Sequence, residues 1–315
     1  MSLPEPVVSV AGLHKTFRLG FLGRRRIEAL KGVDFEVARG MIFGFLGPNG
    51  AGKSTTLKIL TGLLAPSGGT AMLFGQVPDT QSVRRRYGYL PENPSFHENL
   101  TGREILRVMA SLLGLDASTA SRRTREVLSV AGLDRAADVQ VRRYSKGMVQ
   151  RLGIAQALLH DPELAILDEP MSGLDPVGRR EVKELMLDLR ARGRTVFFST
   201  HIISDVEELC DQVVILVGGR VTRQGAVRDL IGQGPKQYEV VASGLPTQLP
   251  VAPARVMGDR QAFLVPDEEA ARRLIEQLWA AGARVHALSV RSYNLEELFL
   301  SEVGKGPVGA AVQLD

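Results

Sequence analysis

Short apolar runs alternate with amphipathic stretches along the first two-thirds of the chain. Val7 to Val10, Val33 to Val37, Met41 to Leu46, Leu164 to Leu167, Thr195 to Ser199 and Val213 to Val217 are rich in β-branched and apolar residues and read as strands. Lys53 to Leu64, Val149 to Leu159 and Val177 to Leu189 carry apolar positions at helical spacing. Glu104 to Leu113 and Thr119 to Val130 form a helical insertion between strands. Continuously apolar strands separated by helices predict an α/β fold with a parallel sheet covered on both faces.

Gly232-Gln233-Gly234-Pro235 interrupts the pattern and reads as a linker. Beyond it the alternation restarts. Tyr238 to Val241, Ala262 to Val265 and Val285 to Val290 read as strands, Glu268 to Leu278 as an amphipathic helix, and Leu295 to Leu300 as a short helix. The expected organisation is therefore a main domain over 1–231, with a helical subdomain at about 93–160. A small α+β C-terminal domain over 236–303 follows, and a tail over 304–315 is expected to be disordered.

Composition narrows this little. The chain has 315 residues, 44% hydrophobic and 23% charged, enough apolar material for a sizeable core. Lys plus Arg exceeds Asp plus Glu by 39 to 35, a net of +4, too small a surplus to argue for nucleic acid. Cys210 is the single cysteine, so no internal disulfide can form, and it reads as an inert buried thiol. The residues after Met1 show no basic region leading into an apolar one, so no signal peptide is expected. No apolar stretch approaches the ~18 residues that a membrane span requires. Arg24-Arg25-Arg26 and Arg84-Arg85-Arg86 read as solvated loops, and Trp279 as core on the stripe of the C-terminal helix. His14, His97, His160 and His286 show no metal-ligand spacing.

The chemistry is concentrated at two places. Gly47-Pro48-Asn49-Gly50-Ala51-Gly52-Lys53-Ser54-Thr55 fits the phosphate-loop pattern, between a predicted strand and a predicted helix. Glycines let backbone amides turn inward around anionic oxygens, and the following helix presents its positive end to the same oxygens. Lys53 supplies a point charge to the β- and γ-phosphates, and the Ser54 hydroxyl can ligate Mg2+. Leu164-Ala165-Ile166-Leu167-Asp168-Glu169 is an apolar strand ending in two carboxylates. Ligands of open α/β sheets bind outside the carboxyl ends of the strands, so Asp168 should face the same crevice. Asp168 can hold Mg2+, directly or through water, and Glu169 can orient or deprotonate an attacking water.

With these two motifs in place, the chain resembles the ATPase subunits of ABC transporters. Tyr144-Ser145-Lys146-Gly147-Met148 is similar to that family's signature loop, and Ser172-Gly173-Leu174-Asp175 to its D-loop. His201 is similar to the switch histidine, Phe17 falls where the family stacks an aromatic on adenine, and Tyr89-Leu90-Pro91-Glu92 falls at the Q-loop. The matches run in the family's order from about Val7 to Arg223. Glu92 departs from the usual Q-loop glutamine, adding a charge while keeping an oxygen ligand, and Met148 and Lys146 depart from the signature. Glu at the Q-loop, the C-terminal module and the ending Asn294-Leu295-Glu296-Glu297-Leu298-Phe299-Leu300 resemble the drug- and antibiotic-exporting branch.

The resemblance implies a P-loop NTPase fold that hydrolyses ATP with Mg2+, held by Ser54, Asp168 and Glu92. It implies head-to-tail dimerisation, with Ser145 and the Gly147 amide meeting the γ-phosphate bound by the opposite subunit. His201 would hold Glu169 and water in line, and Asp175 would belong to the nucleotide interface. The implied partners are a multi-span membrane permease subunit and a second ATPase subunit, as homo- or heterodimer, with no nucleic acid. The implied location is peripheral, on the cytoplasmic face of the plasma membrane. Two other readings stay open at this level: a soluble ABC-type ATPase acting on ribosomes or DNA, and a weakly hydrolysing regulatory subunit.

Overall fold

The computed structural model describes residues 5–19, 25–232, 237–245, 252–291 and 295–304. Arg24, the linker residues Gln233 to Pro235, Asn294 and the tail from Lys305 lie outside the described residues. The chain divides into two compact units, one made of the chain up to Val227 together with Glu302 onward, the other spanning Arg228–Ser301.

The first unit opens with β1 (Val8–Leu19) and β2 (Arg25–Val37), followed by β3 (Ile42–Leu46), α1 (Lys53–Leu60), β4 (Gly68–Leu73), α2 (Gln81–Arg84) and β5 (Tyr87–Leu90). The helical insertion is α3 (Gly102–Leu112), α4 (Ala117–Val130) and α5 (Lys146–Ala157). β6 (Leu164–Asp168), α6 (Pro176–Ala191), β7 (Thr195–Thr200), α7 (Ile203–Leu209), β8 (Gln212–Val217) and β9 (Arg220–Ala226) complete it. A six-stranded sheet runs in the order β5-β6-β7-β3-β8-β9, parallel from β5 to β8, with β9 antiparallel at the edge.

The parallel strands are apolar on both faces because both faces are covered. Ile42, Ala165, Leu167, Val196 and Phe198 pack into the core shared with the helical insertion. Their alternates Phe43, Phe45, Leu164, Ile166 and Phe197 pack against α1 and the β1 and β2 strands. All five residues of β3 and of β6 are buried.

Val7 to Val10 and Val33 to Val37 do not join the parallel sheet. They lie in β1 and β2 of a separate antiparallel sheet, ordered β2-β1-β4. The reason is a long two-strand ribbon with Gly12 and Gly32 at positive φ, whose apolar alternates cover the main sheet. Phe35 is the joint: its ring centroid lies 5.4 to 5.8 Å from those of Phe43, Phe45 and Phe197. Aromatic pairs at this separation add about 0.5–1.5 kcal/mol each beyond burial.

α3 starts at a reciprocal capping box, Thr101 with Glu104, and α4 at the Asp116 side chain. Such caps contribute about 1 kcal/mol each. Cys210 ends α7, its thiol pushed well above its ordinary pKa by burial. Gly44 makes room for it, since a Cβ there would lie 2.7 Å from Sγ. Arg86 is not a solvated loop residue. Its guanidinium grips Glu163 at 2.6 and 2.9 Å and lies 3.8 Å over the Phe74 ring.

In the second unit, α8 (Val227–Gly232) precedes β10 (Gln237–Ser243), β11 (Arg255–Met257), β12 (Arg260–Val265), α9 (Glu268–Ala280), β13 (Arg284–Arg291) and α10 (Leu295–Gly304). The four strands form an antiparallel sheet ordered β11-β12-β10-β13. Ala271, Leu274 and Leu278 of α9 are buried with Val240 and Phe263. Trp279 is not core: it is 63% exposed. One residue past Leu278 is a 100° rotation, which carries it off the stripe.

Candidate active site

The candidate residues gather where the parallel strands end. β5, β6, β7 and β3 are consecutive neighbours. The segment after β5 carries Glu92, β6 ends in Asp168 and is followed by Glu169, β7 is followed by His201, and β3 leads into the Gly47–Thr55 loop. Parallel strands put all these segments at one edge of the sheet.

The loop's shape depends on its glycines. Gly52, at φ 109°, precedes α1, and a Cβ there would lie 2.7 Å from the Ala29 carbonyl oxygen. A Cβ on Gly47 would lie 2.4 Å from the Leu216 carbonyl oxygen. No side chain caps the start of α1. Its first amides therefore remain available to an anion at the positive end of the helix. A cavity of about 280 Å³ opens there, lined by Ala29, Pro48, Asn49, Gly50, Gly52, Lys53, Ser54, Thr55, Glu92 and Glu169. Ala51 is buried behind it.

Lys53 is buried, and its Nζ donates to the Gly47 carbonyl at 2.7 Å and the Pro48 carbonyl at 3.3 Å. It also lies 3.3 Å from Glu169 Oε1, an ion pair without hydrogen-bond alignment. His201 Nδ1 donates to Glu169 Oε2 at 3.0 Å. Glu169 itself has φ 48°, an unusual conformation for a residue with a side chain. Two contacts hold it there. Its amide donates to Ser199 Oγ at 3.0 Å, and its carbonyl oxygen accepts from Gln150 Nε2 at 3.4 Å. Ser199 Oγ in turn donates to Asp168 Oδ1 at 2.6 Å. A buried serine thus fixes both carboxylate residues from the neighbouring strand.

Ser199 and Gln150 carry no motif of their own. The sequence offers only a polar pair, Ser199-Thr200, closing an otherwise apolar strand, and a glutamine five residues after Ser145; that Gln150 is buried is visible only in the fold.

The donors suit Mg2+ bound to a triphosphate. Ser54 and Glu92 bring hard oxygens to the cavity lining, while Asp168 is buried at the same sheet edge without lining the cavity; Mg2+ is ordinarily held by one or two carboxylates plus substrate phosphates. Among the described residues, no three His, Cys, Asp or Glu side chains converge as a self-sufficient metal site. Two buried polar atoms at this edge, Glu169 Oε1 and Tyr89 Oη, have no hydrogen-bond partner among the described residues. Both are as expected of a site whose ligand completes its hydrogen bonding.

Several predicted residues do not line this cavity. Ser145 caps α5, accepting from the Met148 amide at 3.3 Å, and is exposed. Asp175 caps α6, accepting from the Gly178 amide at 2.9 Å, and is also exposed. Gly147 packs beside Leu174, so the two loops adjoin: a Cβ on Gly147 would meet Leu174 Cδ2 at 3.2 Å. Phe17 lies half-buried in β1 opposite Ile27, with Lys15 Nζ 5.2 Å from its ring centroid.

Comparison with known proteins bears on the family and the fold. Residues 30–172 match the model of the ABC transporter family. An ABC transporter ATP-binding protein of Nostoc sp. is 41% identical over 310 residues, covering 95% of this chain and 90% of that protein. A fluoroquinolones export ATP-binding protein of Mycobacterium tuberculosis is 45% identical over 217 residues, 68% of this chain and 69% of that one. Among solved structures, a dimeric ATP-binding cassette in a post-hydrolysis state with ADP and Pi superposes with a TM-score of 0.64 at 26% identity. That match spans 70% of this chain and 98% of the cassette.

Proposed function

The chain belongs to the ATP-binding subunits of the ABC transporter family, and we propose that it drives an exporter by ATP-dependent head-to-tail dimerisation. It is an ATPase, a P-loop NTPase of the α/β class. No described helix is long and apolar enough to cross a membrane. In this reading a multi-span permease subunit supplies the transport path, and the chain docks peripherally on it at the cytoplasmic face of the plasma membrane.

The amides of Gly50 to Thr55 and the Lys53 ammonium hold the phosphates. Ser54, Asp168 and Glu92 would hold Mg2+, which would supply neutralising charge to the phosphates. Glu169 accepts a proton from the attacking water, and His201 fixes the carboxylate that does so. Ser145, Gly147 and Asp175 act on the nucleotide of the opposite subunit, and Phe17 covers the adenine. The exposure of Ser145 and Asp175 away from the chain's own cavity supports a role in trans.

The observation that carries this reading is Glu169. It is a buried carboxylate in a strained backbone conformation, gripped between Lys53 and His201 at the mouth of the phosphate loop. Glu169→Gln keeps the shape and removes the base. Turnover should fall by at least about a hundredfold, as for loss of a general base, while the variant elutes as a dimer in Mg-ATP. A variant that hydrolyses normally, or stays monomeric with ATP bound, would overturn the assignment.

A further inference from the structure

β5 carries two tyrosines on the same face, Tyr87 and Tyr89, and only one of them is satisfied. Strand residues two apart share a face, and both rings pack into the core beneath α1. Tyr87 Oη donates to the Thr61 carbonyl at 2.8 Å, just past the end of α1. Tyr89 lies two residues nearer the strand's carboxyl end, where the site begins. Its register partner on β6 is Ile166, so it shares a face with Asp168, two residues beyond. Its hydroxyl is buried and has no partner among the described residues. Burial raises the phenol's pKa, and the negative charges of Asp168 and Glu92 raise it further, so the proton stays on the oxygen beside two carboxylates.

We propose that Tyr89 is a positioning residue for the divalent cation, its hydroxyl bonding to the Asp168 carboxylate and to the water that completes the cation's shell. The phenol is both donor and acceptor, so one oxygen can serve both groups. Ser199 already holds Asp168 from β7, and in the loaded state Tyr89 holds it from β5, the strand paired with β6 on the other side. An unsatisfied buried hydroxyl is costly, and its retention beside the site is explained if the loaded state satisfies it. The proposal rests on the reading of Asp168 as a cation-binding group.

The test is a Mn2+ titration followed by electron paramagnetic resonance, with ADP present, on the full chain and three variants. Tyr89→Phe should weaken Mn2+ binding about tenfold, as loss of an outer partner of a metal ligand does. Its affinity for ADP in excess chelator should not change. Its melting temperature without nucleotide should be equal to or above wild type, because the orphan hydroxyl is gone. Tyr87→Phe, which breaks the bond to Thr61, should lower the melting temperature and leave Mn2+ affinity as in wild type. Wild-type Mn2+ affinity in Tyr89→Phe would overturn the proposal, as would equal weakening by both tyrosine variants. Asp168→Asn separates the two levels: if it leaves Mn2+ binding intact, the cation-site reading itself fails.

Discussion

At the scale of single residues, the site is a set of charges held against one another before any ligand arrives. Lys53, buried with its ammonium on two loop carbonyls, sits beside the Glu169 carboxylate that His201 also holds. Burying such groups is costly unless each is paired, so the pairings fix their positions. Ser199 is the residue on which two of them depend. Ser199→Ala would strip a 2.6 Å bond from Asp168 and leave the Glu169 amide unpaired in the interior. The expected result is a loss of about 1–3 kcal/mol of stability, with turnover falling about tenfold as the Asp168 carboxylate loses its orientation. Denaturant unfolding and steady-state ATPase assays measure the two. Wild-type turnover in a destabilised variant would make Ser199 structural only.

At the scale of elements, strands of the main sheet are tied together at the far end from the chemistry. Arg86, just before β5, and Arg39, before β3, both hold Glu163, which immediately precedes β6. The Arg86 guanidinium, then Arg39, draw the Glu163 carboxyl down from 4.5 to about 2. A depressed acid stabilises the fold above its unfolded pKa and loses that contribution as pH falls through its folded one. Glu163→Gln should therefore melt below wild type at neutral pH, and the gap should close between about pH 4.5 and 2. Thermal melts across that range measure it, and a gap independent of pH would contradict the ion-pair account.

The same element scale explains what the sequence discloses. Phosphate loop and acidic pair are contiguous, with spacing set by local turn chemistry, so Gly47 to Thr55 and Asp168-Glu169 were legible. The apolar runs of β3, β6, β7 and β8 were legible because burial on both faces leaves no polar alternation. β4, β5 and β9 were missed: they are short or half-exposed, and their strand character comes from pairing. The antiparallel role of β1 and β2 was misread because a strand's sheet is a non-local property. Ser199, Gln150 and Tyr89 acquire meaning only from register and packing. Trp279 shows the limit of periodicity at a helix end, where one residue's rotation separates core from solvent.

At the scale of the whole molecule, the account has one centre. Elements far apart in sequence bring Glu92, Asp168, Glu169, His201 and the Gly47–Thr55 loop to one sheet edge, while Ser145 and Asp175 are exposed and line no part of the cavity there. On the proposed function, binding of Mg-ATP at that edge precedes dimerisation, hydrolysis and any work on a partner. Equilibrium titration of the full chain and of Lys53→Ala with Mg-ATP measures that step directly. Saturable uptake by wild type, weakened about a hundredfold in the variant by the loss of a buried charge-assisted contact, is the predicted result. No uptake at millimolar nucleotide, or equal uptake by both chains, would contradict it.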